Sequence, residues 1–317
     1  MHFAPPAFTF PGPAGYYAAM VASTRTAVLL ATATALIWGL SFLSIKVAVA
    51  VVPPMSLGLI RFVIASSIML LYFTARRSMP RLAMRDLPLM AGSGLIGVTL
   101  YFAGENNGIM LLTASESAII IGTIPVLTVL ADRLFMRSRL RPLQYAGAFM
   151  SALGVSLMVV ESLKISAQPL GYLFMAIAAF SWVAYAFATR PLLARYKQTE
   201  LTFWQSLFGA AGFIPFAFFE TMNWAALTPV IVLNVLFLAV FCSALGYLFY
   251  LISMDTLGAG VASVFINLIP VVSVVASFFI LGERLSQLQG AGAAVAVAGV
   301  YLTTMKPRES RSRSVPI

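Results

Sequence analysis

The chain has 317 residues, 61% of them hydrophobic and only 9% charged, with a net charge of +10. A soluble domain needs roughly 25% charged residues to cover its surface, so this composition excludes one. The lone cysteine, Cys242, and lone histidine, His2, exclude disulfides, a cysteine metal site and a buried histidine proton relay.

Residues 1–25 open with MHFAPPAFTFPGPAGYYAA, rich in proline and without a basic start, which makes a poor signal peptide. A disordered tail is expected there, with Met20 as a second candidate start. Beyond it, windows of about twenty apolar residues recur, and each is long enough to cross a bilayer of roughly 30 Å as a helix. The runs are continuously apolar rather than alternating, which favours helices over a barrel. Spans are expected near 27–49, 54–75, 88–111, 114–135, 142–161, 169–189, 199–219, 228–253, 258–281 and 286–305. The expected fold class is an all-α membrane protein of ten transmembrane helices.

The cations follow the predicted loops. With the N-terminus in the cytoplasm, sixteen of the 20 Lys and Arg fall on the inner side, in clusters such as Arg76, Arg77, Arg81 and Arg85. The outer side receives Lys164 and Arg284, while Lys46 and Arg61 lie within spans. This asymmetry places both termini in the cytoplasm, as in a multi-pass protein of the plasma (bacterial inner) membrane. The basic balance therefore reports topology and contact with anionic lipid, not a nucleic-acid partner.

An internal repeat sets the domain organisation. Residues 139–148, RLRPLQYAGA, match residues 284–293, RLSQLQGAGA, at seven of ten positions with an offset of 145. The same offset pairs Pro125 with Pro270 and Gly154 with Gly299. Near the front it is 144, pairing Trp38 with Trp182, Lys46 with Arg190 and Arg61 with Gln205. The expected units are residues 26–162 and 163–305, followed by a basic cytoplasmic tail, 306–317. Five spans per unit is an odd number, so the second copy enters the membrane inverted. Such halves can exchange conformations across a midplane site, the basis of alternating access.

The chain here resembles the drug/metabolite transporter superfamily, specifically ten-span exporters with two EamA-type domains, over about residues 27–305. The resemblance rests on Ala35-Leu36-Ile37-Trp38-Gly39 followed by Lys46, on Leu59-Ile60-Arg61-Phe62, and on Pro125 and Pro270. Gly282-Glu283-Arg284 with Gln289 and Gly292 complete it. It implies a proton- or gradient-linked exporter of small metabolites, with amino acids the commonest assigned class, and it names no substrate.

Span 3 contains YFAGENNGIM, in which Tyr101 and Glu105 share a helix face. That face either lines an aqueous cavity, because a lipid-facing carboxylate is costly, or is wetted near the outer end, about 10 Å deep. Asn106 is a second cavity candidate and Asn107 a packing or edge residue. Lys46, Arg61 and Glu105 fall at nearly one depth, which fits a structural ion cluster or an outer gate. Arg190 is the inverted counterpart of Lys46. Trp38 with Ser41, and Trp182 with Tyr185, stand mid-span at i, i+3, where interfacial tryptophan is not expected. They fit either cavity walls, whose aromatic faces suit an apolar or cationic group, or ordinary packing. Pro125 and Pro270 free the carbonyls of Ile121 and Ile266, giving either hinges or fixed kinks. Asn267 beside one kink is a candidate substrate contact. The glycines of spans 5 and 10, Gly147 and Gly154 with Gly292 and Gly299, read as scaffold packing.

Neither a Walker A sequence, HExxH nor a serine–histidine–aspartate set occurs, so no enzyme activity and no cofactor are expected. The favoured reading is a secondary exporter of amino acids or related metabolites, with protons as candidate coupling ion and Glu105 as candidate carrier. The alternatives are efflux of cationic drugs or nucleotide-like solutes, and a non-transporting lipid-handling or assembly protein. Oligomeric state is not specified by the sequence.

Overall fold

A computed structural model describes residues 22–112, 117, 120–135, 141–160, 168–281 and 286–305. The predicted tails, and with them His2, the 306–317 cluster and the loop residues Arg137, Arg139, Lys164, Glu283 and Arg284, lie outside these. Among the described residues the secondary structure is entirely helical. We number the helices α1 (Thr24–Val49), α2 (Pro54–Ala75), α3 (Met84–Leu111), α4 (Ile124–Phe135), α5 (Pro142–Val160) and α6 (Pro169–Leu193). There follow α7 (Gln198–Ala217), α8 (Pro229–Leu257), α9 (Ala259–Val264), α10 (Leu268–Leu281) and α11 (Gln287–Thr304). Among the described residues, six helical stretches are long and apolar enough to cross a membrane: α1, α2, α3, α6, α8 and the run Ala259–Ala276 through α9 into α10.

Helix starts obey local rules. Ser23 caps α1 by accepting from the Thr26 amide at 3.1 Å, and Thr228 accepts from Ile231 N at 3.4 Å ahead of Pro229. Pro54, Pro142 and Pro169 each open a helix, where a missing N–H costs nothing. The repeated glutamine has a capping role. Gln144 accepts from Arg141 N at 2.9 Å, and Gln289 accepts from Ser286 N at 3.1 Å while Ser286 Oγ accepts from Gln289 N at 3.0 Å.

The surface is apolar where a soluble protein's would be polar: Leu71, Phe149, Phe180 and Phe279 are 67%, 69%, 62% and 78% exposed. Hydrocarbon is the solvent for such a surface. The interior, by contrast, buries Arg61, Glu105, Asn106, Gln205 and Asn267.

The two halves, α1–α5 and α6–α11, pack reciprocally. Helix α1 lies against α8 as α6 lies against α3, α2 against α8 as α7 against α3, and α2 meets α7. The tightest seam is α5 on α11, built on the repeated glycines. A Cβ on Gly147 would stand 2.6 Å from Gly299 O, and one on Gly154 2.6 Å from Gly292 O. Only hydrogen fits there. Because 147 meets 299 while 154 meets 292, the helices run antiparallel, and each contact is the image of the other under exchange of the repeats.

The two repeat-paired prolines stand beside interruptions of the regular α-helix. Each sits in a first turn just after an interruption, a turn at Thr123 before Pro125 and a 3-10 turn Phe265–Asn267 before Pro270. The proline ring excludes the carbonyl one turn earlier, and the chain answers by tightening to a shorter bond, Thr123 N donating to Ile120 O at 3.0 Å.

Candidate functional site

Two helices of the core are wound too loosely for an α-helix. Leu95–Leu100 of α3 and Leu238–Gly246 of α8 form π-helix, at matching places in the two halves. A π turn releases backbone carbonyls from the regular ladder, and here both sets are taken across the molecule. Gly97 O accepts from Tyr247 Oη of α8 at 2.8 Å. Cys242 O accepts from Trp38 Nε1 of α1 at 3.0 Å. The wide turns thus anchor two aromatic side chains that border one internal cavity.

That cavity is partly open, with about 330 Å³ of empty space counting its mouth, and is lined by Trp38, Ser41, Phe42, Arg61, Tyr101, Phe102, Glu105, Trp182, Tyr247 and Ile269. Helices α1, α2 and α3 supply one wall and α6, α8 and α10 the other. Aromatic rings form a continuous box. Trp38 meets Trp182 edge-on with centroids 5.2 Å apart, and Trp182 in turn lies 4.9 Å from Tyr101 and 5.8 Å from Tyr247. Ring edges against ring faces are the favoured arrangement.

Two opposite charges share this box. Glu105 is 5% exposed and accepts from Tyr101 Oη at 2.8 Å, the pair being one turn apart on α3. Arg61 is 1% exposed; its Nε donates to Ser243 Oγ at 3.2 Å, and its guanidinium carbon stands 4.3 Å above the Phe102 ring. Among the ion pairs of the described residues, within 4.0 Å, Arg61 and Glu105 are not joined. Both charges are instead presented to the cavity. Metal-binding groups of three or more His, Cys, Asp or Glu do not occur among the described residues.

Of the residues singled out in the sequence, the structure brings Trp38, Ser41, Tyr101, Glu105, Trp182 and Arg61 to the cavity wall. Others it places elsewhere. Asn106 is buried and donates to Pro54 O at 2.9 Å. Tyr185 packs on Trp182 and donates to Gln205 Oε1 at 3.1 Å. Gln205 Nε2 itself donates to Ser93 and Thr189, each at 2.9 Å. Lys46 donates to Ile109 O at 2.8 Å and Leu112 O at 3.4 Å, closing the C-terminal end of α3. Arg190 pairs with Asp132 at 3.0 Å. Asn267 is fully buried; its amide oxygen accepts from Ser151 Oγ at 2.7 Å and, so oriented, its nitrogen donates to Gly122 O at 3.1 Å.

Sequence reasoning missed Phe42, Phe102, Ser243, Tyr247 and Ile269. Tyr247 and Tyr250 had the same signal as Trp38 and Ser41, a polar-tipped pair at i, i+3 inside a span. The π turns that aim Tyr247 had none, because their five-residue bond leaves no mark on the hydrophobic period.

Comparison with known proteins gives the same picture of the whole chain. The EamA-like transporter family matches twice, over residues 25–160 and 169–305. An uncharacterized transporter of Archaeoglobus fulgidus is 28% identical over 90% of this chain and 100% of its own length. A protein of Streptantibioticus cattleyicolor named "Probable terminal-alkyne amino-acid exporter" is 27% identical over 85% of this chain and 90% of its own. In fold, one protein of known crystal structure superposes with a TM-score of 0.74, covering 88% of this chain and 98% of that one at 22% identity.

Proposed function

The chain belongs to the EamA-like transporter family, and we propose that it is a secondary active transporter that exports small metabolites, with amino acids and related compounds the favoured class. The observation that carries this reading is the cavity at the junction of the two halves, in which a carboxylate and a guanidinium stand among aromatic rings. Buried charges are expensive and persist where they act on something. The amino-acid exporter named among the relatives supports the same class.

The transport cycle is alternating access between inverted repeats of five spans each, with ten spans in all and both termini in the cytoplasm of a bacterial inner membrane. Support comes from the mutual glycine contacts of α5 and α11. An antiparallel pair whose contacts exchange under the repeat has its twofold axis across the helices, and for membrane-crossing helices that axis lies in the membrane plane. Protons are the candidate coupling ion, with Glu105 the candidate carrier. In counterflow from proteoliposomes, Glu105→Gln should lose the dependence of rate on pH. An unchanged rate and pH profile would remove Glu105 from coupling, and a purified protein that moves no solute in a metabolite screen would remove the transporter reading itself. Efflux of cationic drugs fits the aromatic walls but not the buried guanidinium among them.

A further inference from the structure

The cavity wall holds a cation with an unfilled hydrogen-bonding nitrogen. Arg61 is 1% exposed and yet, among the described residues, its Nη1 has no hydrogen-bond partner. Its Nε is committed to Ser243 and one face of the guanidinium to Phe102, which fixes the plane of the group. Glu105 does not complete it, being farther than 4.0 Å and held by Tyr101. A buried guanidinium nitrogen left without a hydrogen bond is a costly arrangement unless something anionic arrives to satisfy it.

We propose that Arg61 is the anion-holding residue of the central cavity, and that the cavity takes a zwitterion, with its carboxylate on Arg61 and its ammonium between Glu105 and the faces of Trp38 and Trp182. The proposal rests on the transporter reading above and specifies its ligand. With Nε occupied, the terminal nitrogens still offer two parallel donors, the fork that matches a carboxylate. The ring faces carry the negative quadrupole that an ammonium seeks, and the carboxylate of Glu105 adds full charge. A dianionic phosphate would call for a second cation, but Lys46 is engaged by the carbonyls of Ile109 and Leu112.

The test uses matched trios of one side chain each: leucine, isoamylamine and 4-methylpentanoate; phenylalanine, 2-phenylethylamine and 3-phenylpropionate. Wild-type protein in nanodiscs is assayed for thermal stabilisation by each compound, and proteoliposomes loaded with the same compounds are assayed for efflux by mass spectrometry. In at least one trio the amino acid should stabilise the protein and leave about a hundredfold faster than its amine or acid, because a site built for two charged ends rejects a ligand lacking either. Arg61→Met should abolish that stabilisation, and Ser243→Ala, which frees Nε but keeps the charge, should weaken it. An amine or acid that works as well as its amino acid overturns the proposal and leaves the transporter reading intact, as does Arg61→Met binding the amino acid normally. Absence of any zwitterion binding across both trios and the remaining amino acids overturns it as well. Stabilisation without efflux upholds the ligand assignment and overturns the transporter reading instead.

Discussion

Trp38 and Trp182, equivalent positions of the two repeats, touch each other edge to face with ring centroids 5.2 Å apart. A residue that contacts its own counterpart lies at the junction of the two halves, so the cavity these rings wall sits at that junction. The surroundings are not equivalent: the Trp38 indole donates to Cys242 O, the Trp182 indole to Tyr250 Oη at 3.3 Å. The cavity at that junction therefore has unlike walls.

The clearance beneath Trp38 is set by Gly246, where an added Cβ would lie 2.6 Å from Nε1. Gly246→Val should push the indole into the cavity and lower efflux at least about tenfold, a change in barrier of about 1.4 kcal/mol. Rates normalised to folded protein in the membrane check it. Equal rates would mean that this ring does not border the path.

A second pair of counterparts also meets, Asn267 and Gly122, beside the interruptions that precede Pro270 and Pro125. Asn267→Leu would strand the Gly122 carbonyl in the interior, at a cost of about 1–3 kcal/mol. The thermal midpoint in detergent should fall by several degrees, whereas Asn267→Ser, small and still polar, should fall less.

Opposite ends of α2 carry different fastenings between the halves. At its start, Glu220 accepts from Met55 N at 3.0 Å and from Ser56 N at 2.7 Å and Ser56 Oγ at 2.8 Å. Beyond its far end, Asp86 accepts from Arg195 and from Tyr196 Oη at 2.8 Å. If the two ends open in turn, Glu220→Ala should speed labelling of a cysteine at Ser41 by an impermeant maleimide from one side of the membrane. Asp86→Asn should speed it from the other. Both variants acting on the same side would contradict opening in turn.

The α5–α11 seam borders none of the cavity. Gly154→Leu should therefore reduce the amount of folded protein, measured by fluorescence-detected size exclusion, through overpacking worth about 1–3 kcal/mol. The ratio of rates for different solutes, taken on what does fold, should stay unchanged.

Apolar runs, loop charges and the 145-residue offset are local or arithmetic properties of the chain, and from them the sequence alone determined a helical membrane protein built on a repeat. It also determined that Trp38, Trp182, Tyr101 and Glu105 were chemically out of place in hydrocarbon, since cost depends on residue type and depth. Which partner satisfies each polar group is a matter of distance between helices far apart in the chain. Lys46, Arg61 and Glu105 were equally plausible as one charge cluster at a common depth. Only packing sent Lys46 to the backbone of α3, left Glu105 with Tyr101, and turned Arg61 into the cavity against Ser243, 182 residues away. The π turns in α3 and α8 were decided the same way: their energy comes from rings on neighbouring helices, which no single helix contains.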